Sequence, residues 1–133
     1  MISLVLDTNI YISAFIFSGN ARKVLDMAIE NKVNIFISDD ILAEIEKVLQ
    51  REKFSLSNSY IYSILGEIET ITKIVYPDRE LNDICRDRDD HIILECAEKS
   101  NADIIITGDK DLLVLQKYLN TQIVSPADFL ENM

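Results

Sequence analysis

Ile2-Ser3-Leu4-Val5-Leu6-Asp7-Thr8-Asn9 opens the chain and decides its architecture. A strand with one wet face alternates apolar and polar residues. This run stays almost wholly apolar through Leu6, which suits a central parallel strand covered on both faces. Asp7-Thr8-Asn9 then supplies polar groups that hold a turn. In a parallel sheet the carboxyl ends of the strands border one crevice, so Asp7 is expected where such sheets take their ligands.

The pattern outside this stretch repeats the theme. Residues 21–30 place Val24, Leu25, Ala28 and Ile29 on one helical face, after a loop at Ser18-Gly19-Asn20. Residues 33–37 (VNIFI) form a second strand. Ser38 is placed to cap the next helix, with Asp39 and Asp40 in its first turn and Ile41, Leu42, Ile45, Val48 and Leu49 as its buried stripe. Glu44 falls roughly 90° from the centre of that stripe, on the border of the buried face. A further helix is expected from Ser57 to about Glu69, and a β-branched strand over residues 70–76, stopped by Pro77. After a polar connection over residues 78–88, a helix begins at Asp89 or Asp90 and runs to Lys99. Residues 103–107 (DIIIT) form a buried strand, Gly108-Asp109 a turn, and residues 110–118 a short helix. The chain closes with a strand at 122–124 and a helical turn through Leu130, introduced by the N-cap Ser125 and Pro126. Alternating strands and helices predict an α/β fold with a parallel sheet and helices on both faces, a single domain over residues 1–133.

Four acids stand where strands end or helices begin: Asp7, Glu44, Asp90 and Asp109. At one sheet edge they would repel one another, by about 4 kcal/mol for a pair ~4 Å apart at an effective dielectric of ~20. A divalent cation holds such a cluster ionised, and hard carboxylate oxygens suit Mg²⁺ or Mn²⁺. Taken one at a time, these acids are equally well read as turn residues, helix N-caps or a boundary Glu. The shared edge favours a single site, of the kind a metal-dependent enzyme uses on phosphate esters.

With 133 residues and 48% apolar composition, the chain supports one buried core. Its apolar runs are too short to span a bilayer, and Met1 leads directly into a strand, so a cytoplasmic protein without a membrane partner is expected. Cys85 and Cys96 lack metal or redox spacing and read as reduced thiols, with Cys96 in a core. The net charge of −10 disfavours a general nucleic-acid binder. The bases form small groups (Arg22 with Lys23; Lys47, Arg51 and Lys53; Arg86 with Arg88; Lys110 with Lys117), each read as a solvated face rather than a phosphate track. Tyr60, Tyr62 and Tyr76 are expected to pack rather than stack on bases, and the single histidine, His91, is given no catalytic role.

The segments together resemble the PIN-domain ribonucleases. The carriers are Leu6-Asp7-Thr8-Asn9, Ser38-Asp39-Asp40-Ile41-Leu42-Ala43-Glu44-Ile45, Asp87-Arg88-Asp89-Asp90-His91 with Glu95-Cys96-Ala97, Ile106-Thr107-Gly108-Asp109-Lys110-Asp111-Leu112-Leu113 and Ser125-Pro126-Ala127-Asp128-Phe129-Leu130, in family order over the whole chain. The resemblance implies a three-layer α/β/α sandwich around a parallel sheet and Mg²⁺- or Mn²⁺-dependent cleavage of RNA phosphodiesters. It implies Asp7, Glu44, Asp90 and Asp109 as catalytic metal-binding acids, Asp111 as a further metal-binding acid, and Asn9 and Thr107 as supporting polar residues. In the third segment Asp90 is favoured over Asp87 and Asp89, because it precedes Ala97 by the family's spacing; a slip to Asp89 turns the side chain about 100° away. The subgroup most resembled holds toxins of toxin–antitoxin pairs akin to VapC. A cognate antitoxin protein and a homodimer therefore stay open as partners beside the RNA substrate.

Two other readings remain open at this point. One is a different Mg²⁺-dependent phosphoester hydrolase or receiver domain, although the third strand ends in Tyr76-Pro77 where a receiver would want its phosphoacceptor Asp. The other is a non-catalytic PIN-like scaffold or binding module, against which the four acids speak.

Overall fold

A computed structural model describes residues 1–78 and 88–132, the side chains of residues 88 and 89 excepted. The polar connection, with Cys85, Arg86 and Asp87, lies outside the described residues. The described chain is a mostly parallel sheet flanked by helices, a three-layer α/β/α sandwich. The strands are β1 (Ser3–Leu6), β2 (Asn34–Ser38), β3 (Lys73–Val75), β4 (Ile104–Ile106), β5 (Lys117–Tyr118) and β6 (Thr121–Val124), arranged in the order β3-β2-β1-β4-β6-β5. The helices are α1 (Thr8–Ile12), α2 (Gly19–Ile29), α3 (Asp39–Leu49), α4 (Asn58–Ile71), α5 (Arg88–Ser100), α6 (Lys110–Leu113) and α7 (Pro126–Glu131).

The opening strand behaves as its composition dictates. Leu4, Val5 and Leu6 are all fully buried. Because successive strand residues point to opposite faces, a run of three buried side chains requires cover on both sides. β1 pairs in parallel with β2 on one side and β4 on the other, with Leu6 opposite Ile106. The chain lays β2 and β3 to one side of β1, then crosses to lay β4 and β6 on the other. The crevice between the ends of β1 and β4 is therefore the topological switch point, where α/β sheets bind ligands.

Local signals set several elements. Ser38 Oγ accepts the Ile41 N–H at 3.3 Å and caps α3, whose buried face is Ile41, Ile45, Val48 and Leu49. Ser57 caps α4 through Tyr60 N–H, and Ser125 caps α7 through Asp128 N–H with Pro126 in the first turn.

Other elements differ from the sequence pattern. The helix α4 runs on to Ile71, where β-branched residues suggest a strand. Thr70 and Thr72 turn their hydroxyls back to the carbonyls of Glu67 and Ile68 and so extend the helical turn. This leaves only Lys73–Val75 to pair with β2. The loop expected at Ser18-Gly19-Asn20 shrinks to Ser18, in a left-handed conformation (φ 72°), after a π-helical turn at Ser13–Phe17. The helix expected over residues 110–118 stops at Leu113. Gln116 (φ 61°) and Leu119 (φ 54°) take left-handed conformations, and Lys117–Tyr118 folds back as an antiparallel edge strand on β6. Tyr60, Tyr62 and Tyr76, expected to pack, are exposed. Cys96 is a free thiol in the core, and burial pushes it up to about 12.

The Ser38 cap is buried. Ser38→Ala is expected to cost about 1 kcal/mol of unfolding free energy, read as a lower urea midpoint at unchanged m-value.

Candidate active site

Four strand-end and helix residues reach one crevice. Asp7 follows β1 and precedes α1, Glu44 sits midway along α3, Asp90 lies in the first turn of α5, and Asp109 caps α6 after β4. They line a single small pocket of about 130 Å³, together with Thr8, Asn9, Val48 and Arg51. Asp7 and Asp90 are buried, Glu44 and Asp109 half-buried, and Asn9 exposed. The border position expected for Glu44 on its helix is thus where α3 meets the crevice. Asp87 lies outside the described residues, as does the side chain of Asp89.

Thr107 ties the two central acids together. The register that sets Leu6 against Ile106 brings the next residues, Asp7 and Thr107, side by side. Asp7 N–H bonds the Ile106 carbonyl at 3.0 Å. The Thr107 hydroxyl donates to Asp7 Oδ2 at 2.7 Å and accepts the Asp109 N–H at 3.0 Å. Asp109 Oδ1 in turn accepts the Asp111 N–H at 2.9 Å. Asp109 is therefore a helix N-cap and a pocket acid at once. Asp90, by contrast, is no N-cap, since α5 already begins at Arg88.

Asp90, Asp109 and Asp111 each offer a carboxylate oxygen within 4.8 Å of the others. At that separation the Asp90–Asp109 pair repels by roughly 3 kcal/mol at an effective dielectric of ~20. Asp7 sits beside this group, and its carboxyl is raised above the usual carboxylate value, first by burial and further by the charge of Asp109. The Thr107 hydrogen bond and the backbone N–H groups of Asn9 and Thr8 pull it back.

The donor set fits a hard divalent cation. Its oxygens all come from carboxylates, which hard divalent cations such as Mg²⁺ prefer. Thr8 Oγ1 adds an independent sign. It is buried in the pocket wall with no hydrogen-bond partner among the described residues, an arrangement that a hydrated ion or ligand would satisfy. Thr8 lies inside the Asp7-Thr8-Asn9 turn but was not singled out by the sequence pattern. Arg51, read as part of a solvated basic group, also lines the pocket.

The sequence profile of the PIN domain family matches residues 3–111. The chain belongs to the PIN domain family. It is 37% identical over 142 aligned residues to the uncharacterised protein MJ1680 of Methanocaldococcus jannaschii, an alignment covering 98% of this chain and 90% of that one. Its fold is similar to that in the crystal structure of VapBC2 from Rickettsia felis bound to a DNA fragment from their promoter, with a TM-score of 0.65 at 18% identity over 92% of this chain and 97% of that one. It is also similar to PAE2754 from Pyrobaculum aerophilum, with a TM-score of 0.63 at 15% identity over 98% of this chain and 88% of that one. PIN domains are generally nucleases that use divalent metals. This PIN domain retains a carboxylate cluster of the kind such chemistry needs. Among its described residues no helix is long and apolar enough to cross a membrane.

The raised Asp7 carboxyl makes stability depend on pH. With its folded value above the ordinary 3.8, the folded state binds more protons than the unfolded chain between the two values. Stability from this group is therefore lost as pH rises through that window. Asp7→Asn in the presence of EDTA is expected to melt above the wild type at pH 7, with the difference shrinking as pH falls toward 4. Thermal denaturation across that range checks it.

Proposed function

We propose that this PIN domain is an endoribonuclease that hydrolyses RNA phosphodiester bonds with Mg²⁺ or Mn²⁺. What carries the reading is the meeting of Asp7, Glu44, Asp90 and Asp109 in one pocket at the switch point of the sheet, with Asp111 close to two of them. Asp7, Glu44, Asp90 and Asp109 would hold the ion, directly or through water, with Asp111 as a further ligand. A bound ion supplies Lewis acidity, acidifying a coordinated water and offsetting charge on the phosphate.

The chain's own residues do the rest. Thr107 holds the Asp7 carboxylate in one orientation and presents the Asp109 backbone beside it. The short α6 fixes Asp109 through its own first turn. Asn9 stands exposed at the pocket wall, able to meet a polar group of the substrate. Preorganisation of this kind places charge before the substrate arrives and avoids reorganisation during reaction. The acidic balance of the chain is consistent with a substrate held at the metal centre more than by a basic surface.

We further infer that the ribonuclease serves as the toxin of a type II toxin–antitoxin pair, a reading supported by the likeness of fold to VapBC2. Expression of the wild-type chain in a bacterial host would then arrest growth, and expression of Asp7→Asn would not.

Removal of metal with EDTA is expected to abolish cleavage of single-stranded or structured RNA, and Mg²⁺ or Mn²⁺ to restore it. Asp7→Asn, Glu44→Gln, Asp90→Asn and Asp109→Asn should each lose about a hundredfold or more in rate, the scale of removing one preorganised charge-stabilising group. Circular dichroism should show each variant folded, and Asp89→Asn should stay active. Full cleavage by a metal-free preparation, or variants that lose activity only by unfolding, would refute the assignment.

A further inference from the structure

Among the described residues lining the acidic pocket, Arg51 is the one cation. Its position is set by main-chain bonds, not by its charge. Arg51 N–H bonds the Val48 carbonyl at 3.1 Å as α3 ends, and the Arg51 carbonyl accepts Phe54 N–H at 3.1 Å across the turn Glu52–Phe54. The backbone thus holds this residue at the mouth of a pocket whose other charged walls are Asp7, Glu44, Asp90 and Asp109.

The guanidinium itself is not used. Four other cations are engaged: Arg22 by Asp26 and the Phe15 ring, Lys32 by Glu30, Lys53 by the Phe54 ring, and Lys99 by Asp78; the remaining described lysines do not line the pocket. Among the described residues the Arg51 side chain makes no hydrogen bond or ion pair. Lys110, between Asp109 and Asp111 in sequence, does not line the pocket. An exposed arginine facing only solvent is ordinary. An exposed arginine in the wall of a carboxylate pocket, with its fork of five donors unengaged, is placed for an anion that enters that pocket.

We propose that Arg51 is the phosphate-binding residue of the site, its guanidinium taking the non-bridging oxygens of an RNA phosphate at the mouth of the acidic pocket. The proposal rests on the ribonuclease reading above and names the residue that offsets the pocket's repulsion of its substrate. A planar guanidinium matches two phosphate oxygens at once, which a lysine ammonium does not. The contact holds ground state and transition state alike, so its loss appears in KM more than in kcat.

The test compares the full chain with Arg51→Ala and Arg51→Lys. Binding of a labelled single-stranded RNA is measured by fluorescence anisotropy in Ca²⁺, from low to moderate salt. Binding of Mn²⁺ is measured by electron paramagnetic resonance without RNA. The wild type should show a log–log salt slope of roughly 1 to 3 in magnitude, for a few phosphates neutralised at about 0.7 each. Arg51→Ala should bind RNA about tenfold more weakly, the scale of one charge-assisted contact, with the slope smaller by about 0.7. Arg51→Lys should fall between the two and guards against a loss of fold. Mn²⁺ should bind Arg51→Ala as tightly as the wild type or more tightly, because a nearby positive charge has gone. Equal RNA affinity and slope in wild type and Arg51→Ala, with wild-type cleavage intact, overturns the arginine assignment and leaves the ribonuclease reading standing. So does a Mn²⁺ affinity that falls in step with RNA affinity, which would make Arg51 a support for the acids. A wild type that neither binds RNA nor cleaves it with metal overturns the ribonuclease reading, and the arginine assignment with it.

Discussion

One hydroxyl joins the two halves of the sheet at the point where its strand order reverses. Thr107 is fully buried, gives its proton to Asp7 at the end of β1, and takes the Asp109 N–H at the start of α6. Without that donor, the buried Asp7 carboxylate would keep only the backbone N–H groups of Asn9 and Thr8 against the charge of Asp109. The ends of β1 and β4 and the entry to α6 meet at that hydroxyl. The order β3-β2-β1-β4-β6-β5 turns it into a site, because only a sheet wound in both directions leaves a crevice between neighbouring strand ends.

The core and the site make opposite demands on the same residues. The core wants the ends of β1 and β4 dry, as the fully buried Leu6 and Ile106 show. The site wants acids just beyond, Asp7 one residue after Leu6 and Asp109 three residues after Ile106. The compromise is a boundary only a residue wide, with Asp7 buried enough to shift its carboxyl upward yet bonded enough to keep it placed. Repulsion among these acids is a standing cost in the metal-free chain, in the usual pattern by which functional sites trade away stability. A total charge of −10 adds to it.

Much of this was legible in the residues because the signals are local. An unbroken apolar run cannot sit on a half-wet strand, so Leu4-Val5-Leu6 had to be central. Ser38, Ser57 and Ser125 cap helices through bonds to residues three positions on, which spacing alone reveals. That Asp7, Asp90 and Asp109 line one pocket follows from the order of elements in a parallel sheet, whereas Glu44, expected at an element's end, reaches it from the middle of α3. What the pattern missed depends on partners far along the chain or on backbone conformation. The residues 114–119 look helical until Gln116 and Leu119 adopt left-handed conformations and let Lys117–Tyr118 pair with β6. Thr70 and Thr72 look like strand formers until their hydroxyls bond helical carbonyls. The entry of Arg51 into the pocket wall belongs to tertiary structure alone.

The two outer strands carry a consequence for how copies of this chain meet during synthesis. An open sheet ends in unpaired backbone groups that can template another strand, and long flat edges invite polymerisation. Among the described residues both edges are short, the three residues Lys73–Val75 on one side and the two residues Lys117–Tyr118 on the other, and each begins with a lysine. The long apolar strands are held in the interior of the sheet, and a second chain approaching either rim meets positive charge and too few backbone groups to register against. Colloidal stability at the rims thus comes from strand length and two cations, in a molecule whose remaining surface is predominantly acidic.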